Sequence, residues 1–209
     1  PPSARAADLD AVNAADTAYI GSERWRTDRD YWAERTSGMP ERCSLAERSA
    51  PARALGRDVG GVVAPDTAAA LHEAQDRYGV SIAVLVASAI AAYTARHTGA
   101  EDVVLSLPVS SRTTAVLRRS GGTLANVVPL RVSVGVATTV AELVTEVAAA
   151  LSGALRHQRY RHEDLRRDRG AHGAGRGFAG PLLNLMLFPE ELRLGDTRTA
   201  LDVLSSGPI

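Results

Sequence analysis

The chain has 209 residues, 45% of them hydrophobic, which supplies enough apolar side chain for a core and excludes a disordered polymer. Its 24 basic and 24 acidic residues balance, so no overall field draws it to nucleic acid or to an anionic membrane, and a soluble protein partner or small substrate is the expected class. The single cysteine, Cys43, excludes a disulfide framework and a cysteine-built metal cluster and fits a reducing, cytoplasmic setting.

Every basic residue is arginine, a bias that reflects coding composition more than a demand for guanidinium groups. The first residues, PPSARAADLD, lack both a signal-peptide pattern and an initiator methionine, so the expectation is a piece of a longer protein. The longest apolar run, 82–93, is interrupted by Ser88 and falls far short of the roughly 20 residues of a membrane span. It reads as a buried helix.

In chain order, residues 1–27 are polar and Ala-rich, and a short amphipathic helix is expected over 28–35 (DRDYWAER). Residues 36–51, broken by Gly38, Pro40 and Pro51, read as a linker. Val59, Val62 and Val63 around a glycine pair predict a strand over 55–63. Pro65 then opens a helix at a position where its missing N–H costs nothing, and Gly79 closes it. Ser81 is placed to cap the next helix, which runs to about His97.

The central stretch, 103–131, carries a buried strand ending in LPVSSR, a glycine pair at 121–122, and a second apolar run over 124–132 that holds Asn126 and Pro129. Thr139 and Glu142 spell a capping box for the longest helix, with Val140, Leu143, Val144, Val147, Leu151, Ala154 and Leu155 as its buried stripe. That helix is expected to end in LRHQRYRHEDL. A glycine-rich connection over 170–180, a strand over 182–188, a turn with Pro189 and Gly195 and a last extended segment follow. The order predicts a mixed α/β sheet with helices packed on it.

Few residues stand out as chemistry. Gly173, Gly175 and Gly177 follow a helix and lead into a strand, the reverse of a phosphate-cradling context, and so read as a connection. His157 and His162, if on one helix, project about 140° apart and cannot pair on one metal; no metal site is expected. His157, Tyr160 and Asp164 instead suggest a hydrogen-bond network at a helix end, or plain solvated residues. Arg112, after the strand end, either positions something at that loop or pins it through an ion pair. Asn126 beside Pro129 marks either an edge strand or a segment lining a cavity.

With those segments placed, the order of motifs resembles the condensation domain of nonribosomal peptide synthetases. The matching text is AADTAYIGSERWRTDRDYW, with Asp16, Tyr19, Ser22, Asp28, Tyr31 and Trp32 at recognisable positions, then VVLSLPVSSR, GGTLANVVPLR, LRHQRYRHEDL and FAGPLLNLMLF. It covers nearly the whole chain in the right order, and its wording leans towards the siderophore-synthetase branch. There are departures too. Ser106 and Leu107 stand where the family usually has a glycine before its Pro-Val segment, and Ser111 replaces a frequent glycine before Arg112. The catalytic signature His-His-x-x-x-Asp-Gly is absent and belongs to the half that would precede Pro1.

The resemblance implies a chloramphenicol-acetyltransferase-like half of a condensation domain. Residues 1–54 would be the end of the preceding subdomain and a linker, and 55–209 a C-terminal subdomain ending before its last elements. The parent domain would form amide bonds between thioesters held on carrier proteins, with this fragment inactive alone. Pro108, Arg112, Asn126 and Pro129 would line or brace a substrate tunnel, and Arg159 and Arg161 would contact a carrier protein. No cofactor would be bound directly, phosphopantetheine arriving on donor and acceptor peptidyl carrier proteins. Further partners would be the N-terminal condensation subdomain, a neighbouring adenylation domain and, through an exposed face, the chain itself. The alternatives are a non-catalytic docking module and a fragment of an epimerisation or cyclisation relative.

Overall fold

The structure is a computed structural model that describes residues 6–40, 43–46, 59–170, 180–186, 193–195 and 197–198. The glycine-rich connection and the last extended segment fall largely outside the described residues. Two helices come first, α1 (Leu9–Tyr19) and α2 (Glu23–Thr36). The second starts earlier than its sequence pattern indicates, because the Ser22 hydroxyl accepts from the Trp25 N–H at 3.1 Å and so caps it. Next come α3 (Pro65–Tyr78), with Pro65 in its first turn and Gly79 closing it at φ 62°, and α4 (Ile82–Thr98). Ser81 occupies the N-cap position of α4 without a side-chain capping bond.

The strand expected before α3 is not formed over 59–63; Val59 and Val62 are 87% and 99% exposed. Beta-branched residues favour extended backbone, but an extended segment becomes a strand only when another strand pairs with it.

The sheet is built on β1 (Asp102–Val109), paired antiparallel with β2 (Asn126–Ser133) across the short helix α5 (Ala115–Arg118). On the other side of β1, Ser106 donates its N–H to the Pro181 carbonyl and accepts from the Leu183 N–H, both at 2.9 Å. The predicted strand over 182–188 thus appears, within 180–186, as a single parallel bridge at Leu182. Because both backbone groups of Ser106 face that side, its pairing with Pro129 is a non-hydrogen-bonded one, and the next such pair is Pro108 with Val127. Both strand prolines therefore sit where no bond between β1 and β2 is lost.

The outer edge of β2 is closed by side chains. His162 Nδ1 pairs with the Val127 carbonyl (3.1 Å), Arg35 donates to the Arg131 carbonyl (2.7 Å), Glu146 accepts from the Ser133 N–H (2.7 Å), and Pro129 offers no N–H. An edge treated this way does not recruit another strand. The guanidinium of Arg131 adds a second tie, gripping Asp102 at 2.6 and 3.0 Å and the Ser37 carbonyl at 2.7 Å, so β1, β2 and the end of α2 are joined.

Helix α6 (Val140–Arg156) opens with the expected capping box, Thr139 and Glu142 bonding reciprocally. It lies against β2 and α4, and α4 lies against β1. The buried stripe of α6 is Leu143, Val144, Val147, Ala150, Gly153 and Ala154; Val140 and Leu155 are exposed, so the stripe is narrower than expected. Gly153 has a specific reason, since a Cβ there would collide with the Tyr31 hydroxyl. The helix then breaks at 157–160 and α7 (His162–Asp168) begins, so His157 and His162 are not on one helix. The pair β3 (Arg193–Leu194) and β4 (Thr197–Arg198) forms a small separate hairpin. One core runs through the fold: Trp32, Met39 and Cys43 are buried in the same cluster as Leu105, Leu130, Val147, Tyr160 and Leu165.

Candidate functional site

The chemistry-bearing residues gather around the break between α6 and α7. Asn126, at the first position of β2, reaches that turn with its whole amide. Its Nδ2 donates to the carbonyls of Gln158 (3.0 Å) and Tyr160 (2.8 Å), and its Oδ1 accepts from the His162 N–H (3.0 Å). Such a group is a bracket: it satisfies backbone donors and acceptors that a broken helix leaves open. Gln158 completes it from the other side. Its Oε1 accepts from the Ser111 N–H (2.9 Å), its carbonyl accepts from the Ser111 hydroxyl (3.0 Å), and its Nε2 donates to the Leu155 carbonyl (2.7 Å). Ser111 is held at φ 52°, a left-handed conformation that glycine adopts at lower cost. The sequence departure at this position therefore falls on a residue whose backbone is strained and whose side chain helps to hold it.

Arg112 pins the loop that follows, but through carbonyls instead of an ion pair. Its guanidinium donates to the Leu117, Ser120 and Gly122 carbonyls at 2.7 to 2.8 Å. Pro129 is buried in β2, and Pro108 is half-buried in β1. Of the four residues expected along a tunnel, only Asn126 borders an open cleft of about 390 Å³, whose walls include Val12, Asp16, Ser111, Leu117 and Arg161. Arg159 borders the same cleft, with its guanidinium carbon 4.0 Å from the Tyr19 ring centre and a bond to the Ala15 carbonyl (3.2 Å). Arg161 is ion-paired with Asp16. Both arginines thus hold α1 against the turn.

His157, Tyr160 and Asp164 do not form one network. His157 Nδ1 lies 2.7 Å from Asp28 Oδ1, and the ring stacks on Tyr31 with centroids 4.0 Å apart. Tyr160 donates its hydroxyl to Asp168 (2.5 Å), which also receives Arg29 (2.9 Å). Asp164 pairs with Arg167 (2.6 Å). A helix break rotates the three side chains into different surroundings, which a continuous helical reading cannot anticipate.

The hub of this region is Asp28, a fully buried carboxylate reached by Tyr19 (2.7 Å), His157 (2.7 Å) and Arg24 (3.1 Å). A buried charge is tolerable only with such partners. Burial, aided by the bond to Asp28, pushes the Tyr19 hydroxyl well above the ordinary phenol range, and burial with Asp168 does the same to Tyr160. Burial raises the Asp168 carboxyl, but the Tyr160 hydroxyl and Arg29 outweigh it and hold the group below its ordinary value. Burial lowers His162, against its bond to the Val127 carbonyl. Among the described residues the other histidines are elsewhere: His72 contacts the Ala68 carbonyl within α3, and His97 stacks on Tyr93 on α4. Among the described residues no group of three or more His, Cys, Asp or Glu is arranged to hold a metal ion, and no single helix is long and apolar enough to cross a membrane.

Gln158, Asp28 and Asp168 are the residues sequence reasoning missed as site-builders. Gln158 lay in plain view inside HQRY, but two of the three partners of Asp28, Tyr19 and His157, are 9 and 129 positions away, and those of Asp168 include Arg29, 139 positions away.

Comparison with known proteins agrees with this architecture. The sequence profile described as Condensation domain matches residues 12–191. The isonitrile lipopeptide synthase of Streptomyces coeruleorubidus is 37% identical over 202 residues, covering 96% of this chain and 14% of that protein. The dimodular nonribosomal peptide synthase of Bacillus subtilis (strain 168) is 33% identical over 201 residues, covering 96% of this chain and 8% of that protein. Among solved structures, the first condensation domain of the CDA synthetase superposes with a TM-score of 0.85 at 36% identity, covering 100% of this chain and 46% of that one. The chain thus spans a small part of the two synthases and under half of the solved condensation domain. From the profile match, the ordered motifs and the shared fold, the chain belongs to the Condensation domain family.

Proposed function

We propose that this chain is the C-terminal subdomain of a peptide-synthetase condensation domain, helping to form amide bonds between thioesters carried on phosphopantetheine arms. In this reading the catalytic histidine comes from the N-terminal half, the donor and acceptor arrive on peptidyl carrier proteins, and an adenylation domain is a neighbour in the same cytoplasmic assembly. No cofactor is held by this chain itself. The observation that carries the reading is the superposition of the full chain on less than half of a condensation domain. The site geometry supports it. His157 is tied to Asp28 and Tyr31, His162 bonds the edge of β2, and Arg112 and Asn126 are engaged with backbone groups, which suits bracing and not proton transfer. Arg112, Asn126, Pro108 and Pro129 then shape a tunnel wall by fixing the strand ends and loop behind it.

The test is to supply the N-terminal half, fused or separate, with loaded donor and acceptor carriers and to look for the amide product by mass spectrometry. Product formation that requires both halves is expected. Neither product nor carrier binding from the completed domain would overturn the reading.

A further inference from the structure

We propose that Gln158 is a positioning residue for the amide-forming reaction, holding Ser111 at the lip of the cleft so that the carrier-bound chain lying there is selected by size. This rests on the reading above, in which acyl or aminoacyl chains on carrier proteins are the substrates.

Strain marks the place. Among the described residues Ser111 is the one non-glycine residue at positive φ, 52°. Such a backbone persists only where its surroundings over-determine it, and it gathers at sites of function. Ser111 borders the open cleft of about 390 Å³ together with Asn126, and α1 contributes Val12 and Asp16 to the same walls. A glycine would take this turn at lower cost, whereas the serine adds a side chain to the wall.

Gln158 supplies the constraint. Its Oε1 accepts from the Ser111 N–H (2.9 Å) and its carbonyl accepts from the Ser111 hydroxyl (3.0 Å), so backbone and side chain are both held. The same carbonyl accepts from Asn126 Nδ2 (3.0 Å). On the far side Nε2 donates to the Leu155 carbonyl (2.7 Å) in the last turn of α6, which fixes the direction in which Oε1 points. Gln158 does not itself line the cleft, so it acts on a bound chain through Ser111.

The segments around Ser111 are pinned independently. Val109 pairs with Asn126 in the sheet, and the Arg112 guanidinium holds the Leu117, Ser120 and Gly122 carbonyls. Without the Gln158 amide, relaxation of the strained backbone therefore falls on residues 110–111, at the lip. The α1 wall is held separately, by the pair of Arg161 with Asp16 and by Arg159 on the Ala15 carbonyl. One amide thus sets where the strand-side wall stands. A displacement of about 1 Å costs up to roughly 10²-fold in rate, and a pocket separates chains differing by one methylene by roughly 10–200-fold.

The experiment uses the completed domain, both halves together, below each variant's own Tm. Glycyl and phenylalanyl carriers serve as donors against one acceptor, and then as acceptors against one donor; the readout is the ratio of kcat/KM for the two chains. Gln158→Ala is expected to change that ratio about tenfold or more on the side whose chain lies in the cleft. Gln158→Glu keeps an acceptor for the Ser111 N–H and should change it less. Ser111→Gly removes the side chain from the wall and should move the ratio towards the phenylalanyl chain. A purely structural Gln158 would lower Tm and scale both rates alike. An unchanged ratio on both sides in folded Gln158→Ala and Ser111→Gly chains therefore overturns the assignment and leaves the functional reading standing. If the wild-type completed domain forms no product with any of these carriers, both fail.

Discussion

Replacing Asn126 with alanine tests whether its amide is a bracket or a tunnel surface. The substitution removes three hydrogen bonds, to the Gln158 and Tyr160 carbonyls and from the His162 N–H, at 2.8 to 3.0 Å. Each is worth about 0.5–1.5 kcal/mol net, and the site is half-buried, so water recovers part of the loss. The expected cost is about 2–3 kcal/mol, which for a chain of this size is roughly 4–12 °C in Tm. Asn126→Asp sharpens the test, because it keeps an acceptor for His162 but turns a carboxylate towards two carbonyl oxygens. It should cost at least as much as alanine at neutral pH and less in acid, where the protonated carboxyl regains a donor. Thermal unfolding followed by circular dichroism reads both. A Tm within about 1 °C of wild type for Asn126→Ala, or an aspartate tolerated better than alanine at neutral pH, would refute the bracket.

Three further outcomes follow from the packing and the charges. Gly180→Ala would drive a Cβ into the Val104 backbone, so it should cost about 1–3 kcal/mol by urea denaturation and weaken amide-exchange protection at Leu183. Ser111→Gly relieves a left-handed backbone while losing one hydrogen bond and should be near neutral, whereas Ser111→Ala keeps the strain and loses the bond, costing about 1 kcal/mol more than glycine. Acid unfolding should begin with His162: its pKa in the fold lies below the ordinary 6.5, so the unfolded chain takes up the proton first and stability falls as pH drops below that value. Asp168, also depressed, adds stability above its ordinary value near 3.8 that is lost as pH falls through its lower folded value. His162→Gln should remove the earlier loss and leave the later one.

Local signals carried much of the fold. Pro65 and Gly79 bound a helix because one needs no N–H in the first turn and the other accepts a left-handed φ, and Thr139 with Glu142 opens α6 through bonds within four residues. Helix α1 escaped notice since only Val12 and Tyr19 are buried along its length, too few for a stripe. The segment 59–63 looked like a strand from its valines, but pairing is a property of two segments and only one was in view. The break at 157–160 was invisible because what stabilises it, Asn126, lies 32 to 36 positions earlier in the chain. For the same reason Asn126 was recognised as needing partners, yet its partners were not foreseen. The buried carboxylate of Asp28 had one local signal, Arg24 four residues earlier, while its phenol and imidazole come from α1 and from the far end of α6.

On the proposed function, this chain builds and braces a condensation site whose proton-handling histidine belongs to the other half. The most direct measurement is the amide-forming rate of the completed domain, at saturating loaded carriers and below each variant's own Tm, with His157→Gln and His162→Gln in this chain. Rates within about tenfold of wild type are expected, since general acid–base catalysis is worth roughly 10²–10⁴-fold and these histidines do not supply it. A loss in that larger range in a folded variant would place the base in this chain and overturn the assignment of the histidine to the other half.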